Sequence, residues 1–161
     1  MTGKVKPIPE NYHSVTPYLV VDGAAKAIDF YKRAFKAAEH VRMPGPENKI
    51  AHAEIKIGDS MVMLSDPMES VHKSPKTLGG TPITLMIYTE DVDTTVADAI
   101  KAGAQTLRPV EDQFWGDRMG TLTDPFGHSW SIATHVEDVS PDQMQSRLEK
   151  LGRTQKQAEP V

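Results

Sequence analysis

The chain of 161 residues has 39% hydrophobic and 25% charged residues, a composition typical of one folded domain or of two small half-domains that share a core. Its net charge of −4, with no basic block and no apolar run of about 18–20 residues, argues against nucleic acid or a membrane as a partner. The absence of cysteine excludes disulfides, thiolate metal sites and a Cys nucleophile, and with no signal-like N-terminal stretch we expect a cytoplasmic setting.

After an N-terminal tail of residues 1–11, residues 12–64 predict a first structural unit. A β-rich run ends at Asp22, and the segment after it carries apolar side chains at helical spacing. These side chains are Ala27, Ile28, Tyr31 and Phe35. The next stretch, AHAEIKIGDSMVML, predicts two strands joined by a tight turn at Gly58.

A linker of residues 65–82, rich in Ser, Pro and Gly, separates this unit from a second one over residues 83–137. The second unit repeats the pattern of strand and helix, with Asp93 as the expected N-cap and Gly103 as the C-terminal stop. Two further strands are predicted around the turn DPFG, in the stretch RMGTLTDPFGHSWSIA.

The two units correspond position by position. Asp22 and Gly58 are 36 residues apart, Asp91 and Gly127 are also 36 residues apart, and both pairs are offset by 69. A constant offset of this kind indicates an internal duplication. The sequence therefore predicts an α+β fold built from two tandem β-α-β-β-β modules.

Residues 138–161 predict a C-terminal helix and tail, with Ser140 as N-cap and Gly152 as stop. An apolar stripe along this helix must cover either the body of the protein or a partner chain. The stripe consists of Met144, Leu148 and Leu151.

Four separated strings carry a family resemblance: TPYLVVDGAAKAIDFYKRAF, HAEIKIGDSMVMLSD, FWGDRMG and DPFGHSWSIATH. Over about residues 12–137 the chain resembles the vicinal oxygen chelate superfamily of glyoxalases, bleomycin-resistance proteins and extradiol dioxygenases, and within it the PhnB-like branch. The resemblance implies that the modules form a curled mixed sheet around a cleft and that the protein is a homodimer. It also implies that such a cleft holds a catalytic metal ion in many members.

The resemblance places the usual metal ligands at Val15, Val62, Thr84 and Ser131. None of these is a His, Gln or Glu, the residue types that the family uses there. We therefore expect neither a metal at the usual site nor any other cofactor. A divalent metal bound by relocated ligands is the alternative.

His52 and Glu54 are the candidates for a relocated site. Alternation along the strand places Ala53 and Ile55 under the helix, which turns His52 and Glu54 toward the cleft. As a catalytic pair they would bind Zn, Mn or Fe. The alternative is that both only line a polar strand face and bond water or each other.

The remaining candidates are residues that could contact a ligand. Phe114 and Trp115 would form an apolar wall, and Arg118 an anchor for an anionic or carbonyl-bearing group. The alternative for this segment is a hydrophobic plug with an ion pair between Asp117 and Arg118. Three further candidates for contact with a ligand are assigned to the cleft by strand parity or by the resemblance, namely Met86, Tyr88 and Ser131.

Two conspicuous residues near the last turn are expected to be structural. Trp130 has the parity of the helix-packing face, together with Ile132. His128 is expected to bond nearby backbone groups.

These observations favour a protein that binds a small organic molecule in the cleft without the usual metal. The alternative is a metal-dependent lyase, isomerase or dioxygenase with relocated ligands, and the sequence leaves open whether the protein is an enzyme at all.

Overall fold

The computed structural model of the chain describes residues 5–68 and 72–158. Parts of the predicted N-terminal tail, linker and C-terminal segment lie outside these residues, namely 1–4, 69–71 and 159–161.

The first module forms a four-stranded sheet with the order β1-β4-β3-β2. Strand β1 runs parallel to β4, and the other neighbours are antiparallel. Its elements are β1 (Tyr18–Val20), α1 (Ala24–Phe35), β2 (Ala38–Pro44), a 3-10 turn (Pro46–Asn48), β3 (Ile50–Ile57) and β4 (Ser60–Ser65).

The second module forms a separate four-stranded sheet with the equivalent order β5-β8-β7-β6. A short helix, α2, precedes it, and a long helix, α4, follows it. The elements are α2 (Pro75–Leu78), β5 (Thr84–Tyr88), α3 (Val92–Ala102), β6 (Gln105–Asp112), β7 (Asp117–Thr123), β8 (Ser129–His135) and α4 (Pro141–Ala158). The prediction of an α+β fold with two tandem β-α-β-β-β modules is confirmed, although the two mixed sheets remain separate and do not close.

The N-termini of α1 and α3 are stabilised in different ways. Helix α1 begins after Gly23, whose φ of 94° suits glycine. Its first N–H groups, those of Gly23 and Ala24, donate to the carboxylate of Asp66 at 2.8 and 3.1 Å. Helix α3 has its own cap, because Asp91 accepts from the N–H of Thr94 at 3.0 Å. The prediction of Asp93 as N-cap is therefore wrong by two residues, since Asp93 lies inside the first turn.

One core lies between the two sheets, and helices α1 and α3 pack against each other in it. The predicted apolar stripe of α1 is buried. Its Tyr31 and Phe35 also contact Trp130 of β8, with ring centroids 5.4 and 4.9 Å apart. Asp124 ties the modules together, accepting from the Tyr31 hydroxyl at 2.7 Å and from Trp130 Nε1 at 2.9 Å. Each sheet thus has a covered face toward the helices and an open face away from them. The predicted burial of Trp130 is confirmed.

Helix α4 begins as predicted and ends later. The N–H of Gln143 donates to the Ser140 hydroxyl, and the Gln143 side chain accepts the N–H of Ser140, which together form a capping box. The helix continues through Gly152 to Ala158, so the predicted stop is wrong. The stripe residues Leu148 and Leu151 are about half exposed. Among the described residues, none of the helices has both the length and the apolar character needed to cross a bilayer.

Candidate functional site

A cleft of about 1000 Å³ lies between the two modules. The rings of Phe35 and Trp130 contribute to its lining from the shared core. One side is the β3–β4 hairpin, from Lys56 to Val62, and the other is strand β5. Residues before β1, including His13 and Val15, border it as well.

The cleft follows the edge of β5. Leu85 and Ile87 point to the covered face, because they share a register with Trp130 and Ile132 of β8. Met86 and Tyr88 point to the open face and are exposed. Residues of both sets line the cleft. A space that touches both faces of one strand must run along the edge of that strand. Met86 and Tyr88 line this cleft, and their contact with a ligand stays a prediction.

The four positions that usually carry metal ligands are not equivalent in space. Val62 lies opposite Ile55 and is buried on the covered face, whereas Ser131 lies opposite Thr121 on the open face. The constant offset of 69 therefore does not preserve the face. The reason is that β3 turns back after Ile57, a covered-face residue, while β7 turns back after Thr123, an open-face residue.

The chemistry of these positions does not fit a divalent ion. Val15 and Val62 offer no donor atom, and Thr84 and Ser131 offer only hydroxyls that bond Ser129 and Thr121 at 3.2 Å. Within residues 5–68 and 72–158, no group of three or more His, Cys, Asp or Glu side chains is arranged to hold a metal.

His52 and Glu54 lie together on the open face of β3, as the alternation predicted, but away from the cleft lining. His52 Nε2 is 3.1 Å from Glu54 Oε1, and Tyr12 donates its hydroxyl to Glu54 Oε2. These bonds lower the pKa of Glu54, with the Tyr12 bond the larger cause, and the same bond raises the pKa of Tyr12 to about 12. The alternative that the two side chains bond each other is what the structure shows.

The second ring nitrogen of His52 also has a polar neighbour. Its Nδ1 lies 3.4 Å from the hydroxyl of Tyr18. The rings of Tyr18 and His72 stack at 5.8 Å.

Phe114 and Trp115 form a rigid corner in the loop between β6 and β7. Their rings meet edge to face at 4.9 Å, and Trp115 Nε1 donates to Asp117 at 3.0 Å. Helix α4 holds the loop through Arg147, which donates to the carbonyl of Phe114 at 3.2 Å. The loop does not line the cleft directly. It is connected to the cleft through Tyr88, whose hydroxyl also donates to Asp117.

Asp117 is the residue that sequence reasoning missed as a centre of this region. It is only 4% exposed and accepts from Tyr88, Trp115 and His135, the last at 2.8 Å. Burial acts to raise the pKa of Asp117, but the three hydrogen bonds outweigh burial, so the pKa is lowered. The available signal was strand parity, which places Asp117 on the open face together with Met119 and Thr121.

Arg118 is not part of the cleft. Its guanidinium bonds both oxygens of Asp93 at 2.8 Å and Asp112 at 3.0 Å, which raises its pKa. Arg118 therefore forms ion pairs, as the alternative predicted, but its partners are Asp93 and Asp112. The predicted partner, Asp117, is paired with His135 instead. His128 behaves as predicted, since its Nε2 bonds the carbonyl of Val20 at 3.2 Å.

The family model described as "Glyoxalase/Bleomycin resistance protein/Dioxygenase superfamily" matches residues 12–132. A protein of Mycobacterium bovis, named Uncharacterized protein Mb0911c, is 43% identical over 143 residues, which cover 86% of this chain and 94% of that protein.

Two solved structures share the fold. TioX from Micromonospora sp. ML1 aligns with a TM-score of 0.63 and 25% identity, over 77% of this chain and 99% of TioX. TnmS3 from Streptomyces sp. CB03234, described as an antibiotic binding protein, aligns with a TM-score of 0.57 and 21% identity, over 76% of this chain and 95% of TnmS3.

Proposed function

The chain belongs to the glyoxalase/bleomycin resistance protein/dioxygenase superfamily, and from that premise we propose that it binds a small organic molecule in the cleft between its modules. No metal ion takes part at the positions usual for the family. The cleft itself carries the proposal, because a space of about 1000 Å³ that reaches two core aromatic rings is of the size that accommodates drug-sized ligands. The cytoplasm is the proposed setting.

The lining supports an organic ligand with both apolar and polar parts. Val15, Met86 and Tyr88 offer exposed apolar and aromatic surface, and Lys56 and Asp59 offer charged groups on the hairpin side. The fold is suited to such a role, since TnmS3, which shares it, is described as an antibiotic binding protein.

The proposal is tested by titration with 1-anilinonaphthalene-8-sulfonate, a fluorescent probe with aromatic and anionic parts. We expect saturable binding that weakens at least about ten-fold when Met86→Trp fills the cleft from the exposed side of β5. Met43→Trp is the matched control, because Met43 is an exposed strand methionine that does not line the cleft. Absence of saturable binding, or an equal loss in both variants, would overturn the proposal.

We also propose that the protein acts as a homodimer. Large apolar side chains stay exposed on the open faces, including Tyr18, Met43, Met86 and Tyr88. A second copy that covers them would remove apolar surface from water. Sedimentation equilibrium at micromolar concentration should give twice the chain mass, and a monomer under those conditions would contradict the proposal.

The contact between His52 and Glu54 supports a second candidate function, an enzyme acting on a small oxygenated substrate with this pair as its catalytic residues. Glu54 orients the imidazole, and the role proposed for His52 is proton transfer through Nδ1, which lies 3.4 Å from the Tyr18 hydroxyl. Metal analysis of protein purified without chelators separates two versions of this candidate. Stoichiometric metal that is lost in His52→Ala and Glu54→Ala would support a relocated metal site, and its absence would leave only metal-free acid–base chemistry.

A further inference from the structure

Within residues 5–68 and 72–158, β5 pairs with β8 alone, and its free edge differs from the other sheet edges. Edge strands expose unpaired N–H and C=O groups, and natural proteins defend them with charges, prolines, bulges or short length. Strand β1 has only three residues, and β2 and β6 both carry charges, a proline and irregular register. In β2 and β6 the defending residues are Glu39, Arg42, Pro44, Arg108, Pro109, Glu111 and Asp112.

Strand β5 has none of these features. Its sequence, TLMIY, contains no charge and no proline, and its register with β8 is continuous from Thr84 to Tyr88. An undefended edge that lies inside a cleft is protected from non-specific pairing by the opposite wall, and it stays accessible to a ligand small enough to enter.

The backbone groups that face the cleft can be identified. Thr89 donates its N–H to Ala133 of β8 at 2.8 Å. Because successive strand residues direct their N–H and C=O to opposite edges, those of Leu85 and Ile87 also face β8. The N–H and C=O of Met86 and Tyr88 therefore face the free edge. Two such residues on one strand lie about 6.6 Å apart, which is the repeat of an extended peptide.

We infer that β5 adds an extended peptide or peptide-like molecule of about three residues as an extra strand, so that its amides pair with Met86 and Tyr88. This inference rests on the proposed function, since it names the ligand class of the same cleft. A length of three residues spans both pairing positions and fits a space of about 1000 Å³.

Charge on the cleft lining favours a peptide with a free carboxylate. Among the described residues, Lys36 and Lys56 line the cleft together with a single acidic residue, Asp59. The lysines complement the negative end of a short peptide, while the apolar side chains of the lining accommodate its side chains.

The experiment uses the peptide N-acetyl-Thr-Val-Thr with a free carboxylate, followed by NMR of the full chain. We expect saturable shifts at the amides of Met86 and Tyr88. Methylation of peptide nitrogens one at a time should weaken binding about five-fold or more at alternate positions, and less than two-fold at the positions between them, because only alternate N–H groups face β5. Equal effects at all positions, or no shifts in β5, would overturn the inference.

Two variants provide the matched test on the protein side. Met86→Pro and Met86→Ala both remove the methionine side chain, but only the proline removes the N–H that faces the free edge, and neither removes a hydrogen bond of the ladder with β8. Binding should be about five-fold weaker in the proline variant than in the alanine variant. Should the proline variant not fold, the methylated peptides still decide the question.

Other outcomes are separable. If the sulfonate probe binds but the peptide does not, the ligand class is wrong and the proposed function stands. If neither binds, both fail. If Met86→Pro dissociates a dimer that Met86→Ala leaves intact, the edge is occupied by a second copy, and the inference is overturned.

Discussion

The open face of each sheet carries a carboxylate that bonds a histidine, and the two carboxylates differ in burial and in the number of hydrogen bonds they accept. On β3, Glu54 keeps 18% of its side chain exposed, and its partner His52 keeps a ring nitrogen directed at Tyr18. On β7, Asp117 is almost fully buried and accepts three hydrogen bonds. The duplicated backbone has therefore kept one face on which a histidine ring stays partly accessible, with 23% of the His52 side chain exposed. On the other face the carboxylate fixes a loop, the edge of β5 and the end of β8.

The largest test of this difference is the substitution Gly116→Ala in the loop that Asp117 supports. A Cβ at Gly116 would lie 2.0 Å from the carbonyl oxygen of Glu137, and the φ of 99° is strained for any L side chain. We expect a loss of about 2–4 kcal/mol in the free energy of unfolding, measured by urea denaturation.

The matched control is Gly58→Ala in the first module. Gly58 also has a positive φ, of 58°, but an added Cβ would meet nothing within 4 Å. The expected cost is about 1 kcal/mol, the price of a left-handed conformation alone. Equal costs for the two alanines would show that the loop yields easily, and would break the contrast between the faces.

The second test compares the carboxylates directly. Asp117→Asn replaces an acceptor oxygen with a donor among three donors in a buried site, and we expect a loss of about 2 kcal/mol. Glu54→Gln makes the equivalent change where water can rearrange, with an expected cost below about 1 kcal/mol. Urea denaturation of both variants at pH 7 provides the measurement. A cost for Glu54→Gln as large as that for Asp117→Asn would mean that both faces are structural.

The fold was predictable because duplication and periodicity can both be read from the spacing of residues along the chain. The stripe of α1 and the turns at Gly58 and Gly127 follow from spacing alone. The cap of α1 was not predictable in this way. Its carboxylate, Asp66, is 42 residues distant from the N–H of Ala24, and only the folded chain brings the two together.

The candidate site was predictable only in part, for the same physical reason. Strand parity correctly turned His52, Glu54, Met86 and Tyr88 away from the covered face. The offset of 69 did not place Val62 on the same face as Ser131, because the two hairpins turn back at residues of opposite face, which a constant offset cannot reveal. The partner of Arg118 was also not predictable. Proximity in the sequence suggested Asp117, whereas the actual partners, Asp93 and Asp112, belong to α3 and β6.

A third test sharpens the contrast through pH. Hydrogen bonds to Asp117 and Asp138 raise the pKa of His135 in the folded protein. The stability from this raised pKa is fully present below the unfolded value of about 6.5, and it is lost as the pH rises through the folded pKa. The melting temperature should therefore fall more steeply above pH 6.5 in the natural chain than in His135→Gln. Identical pH profiles would contradict the pairing with Asp117.

The smallest expected effect concerns the accessible face and is spectroscopic. The bond to Glu54 raises the pKa of Tyr12 to about 12, so Glu54→Gln should lower it toward the ordinary value of about 10. Site-resolved NMR of the Tyr12 ring carbon measures the titration. His52→Gln is the matched control, because it leaves the bond between Tyr12 and Glu54 in place and should leave the pKa near 12. If Glu54→Gln leaves the pKa of Tyr12 unchanged, Tyr12 does not lie against Glu54 in solution. Only one of the two contacts that hold the Glu54 carboxylate on the open face of β3, the one with His52, would then remain.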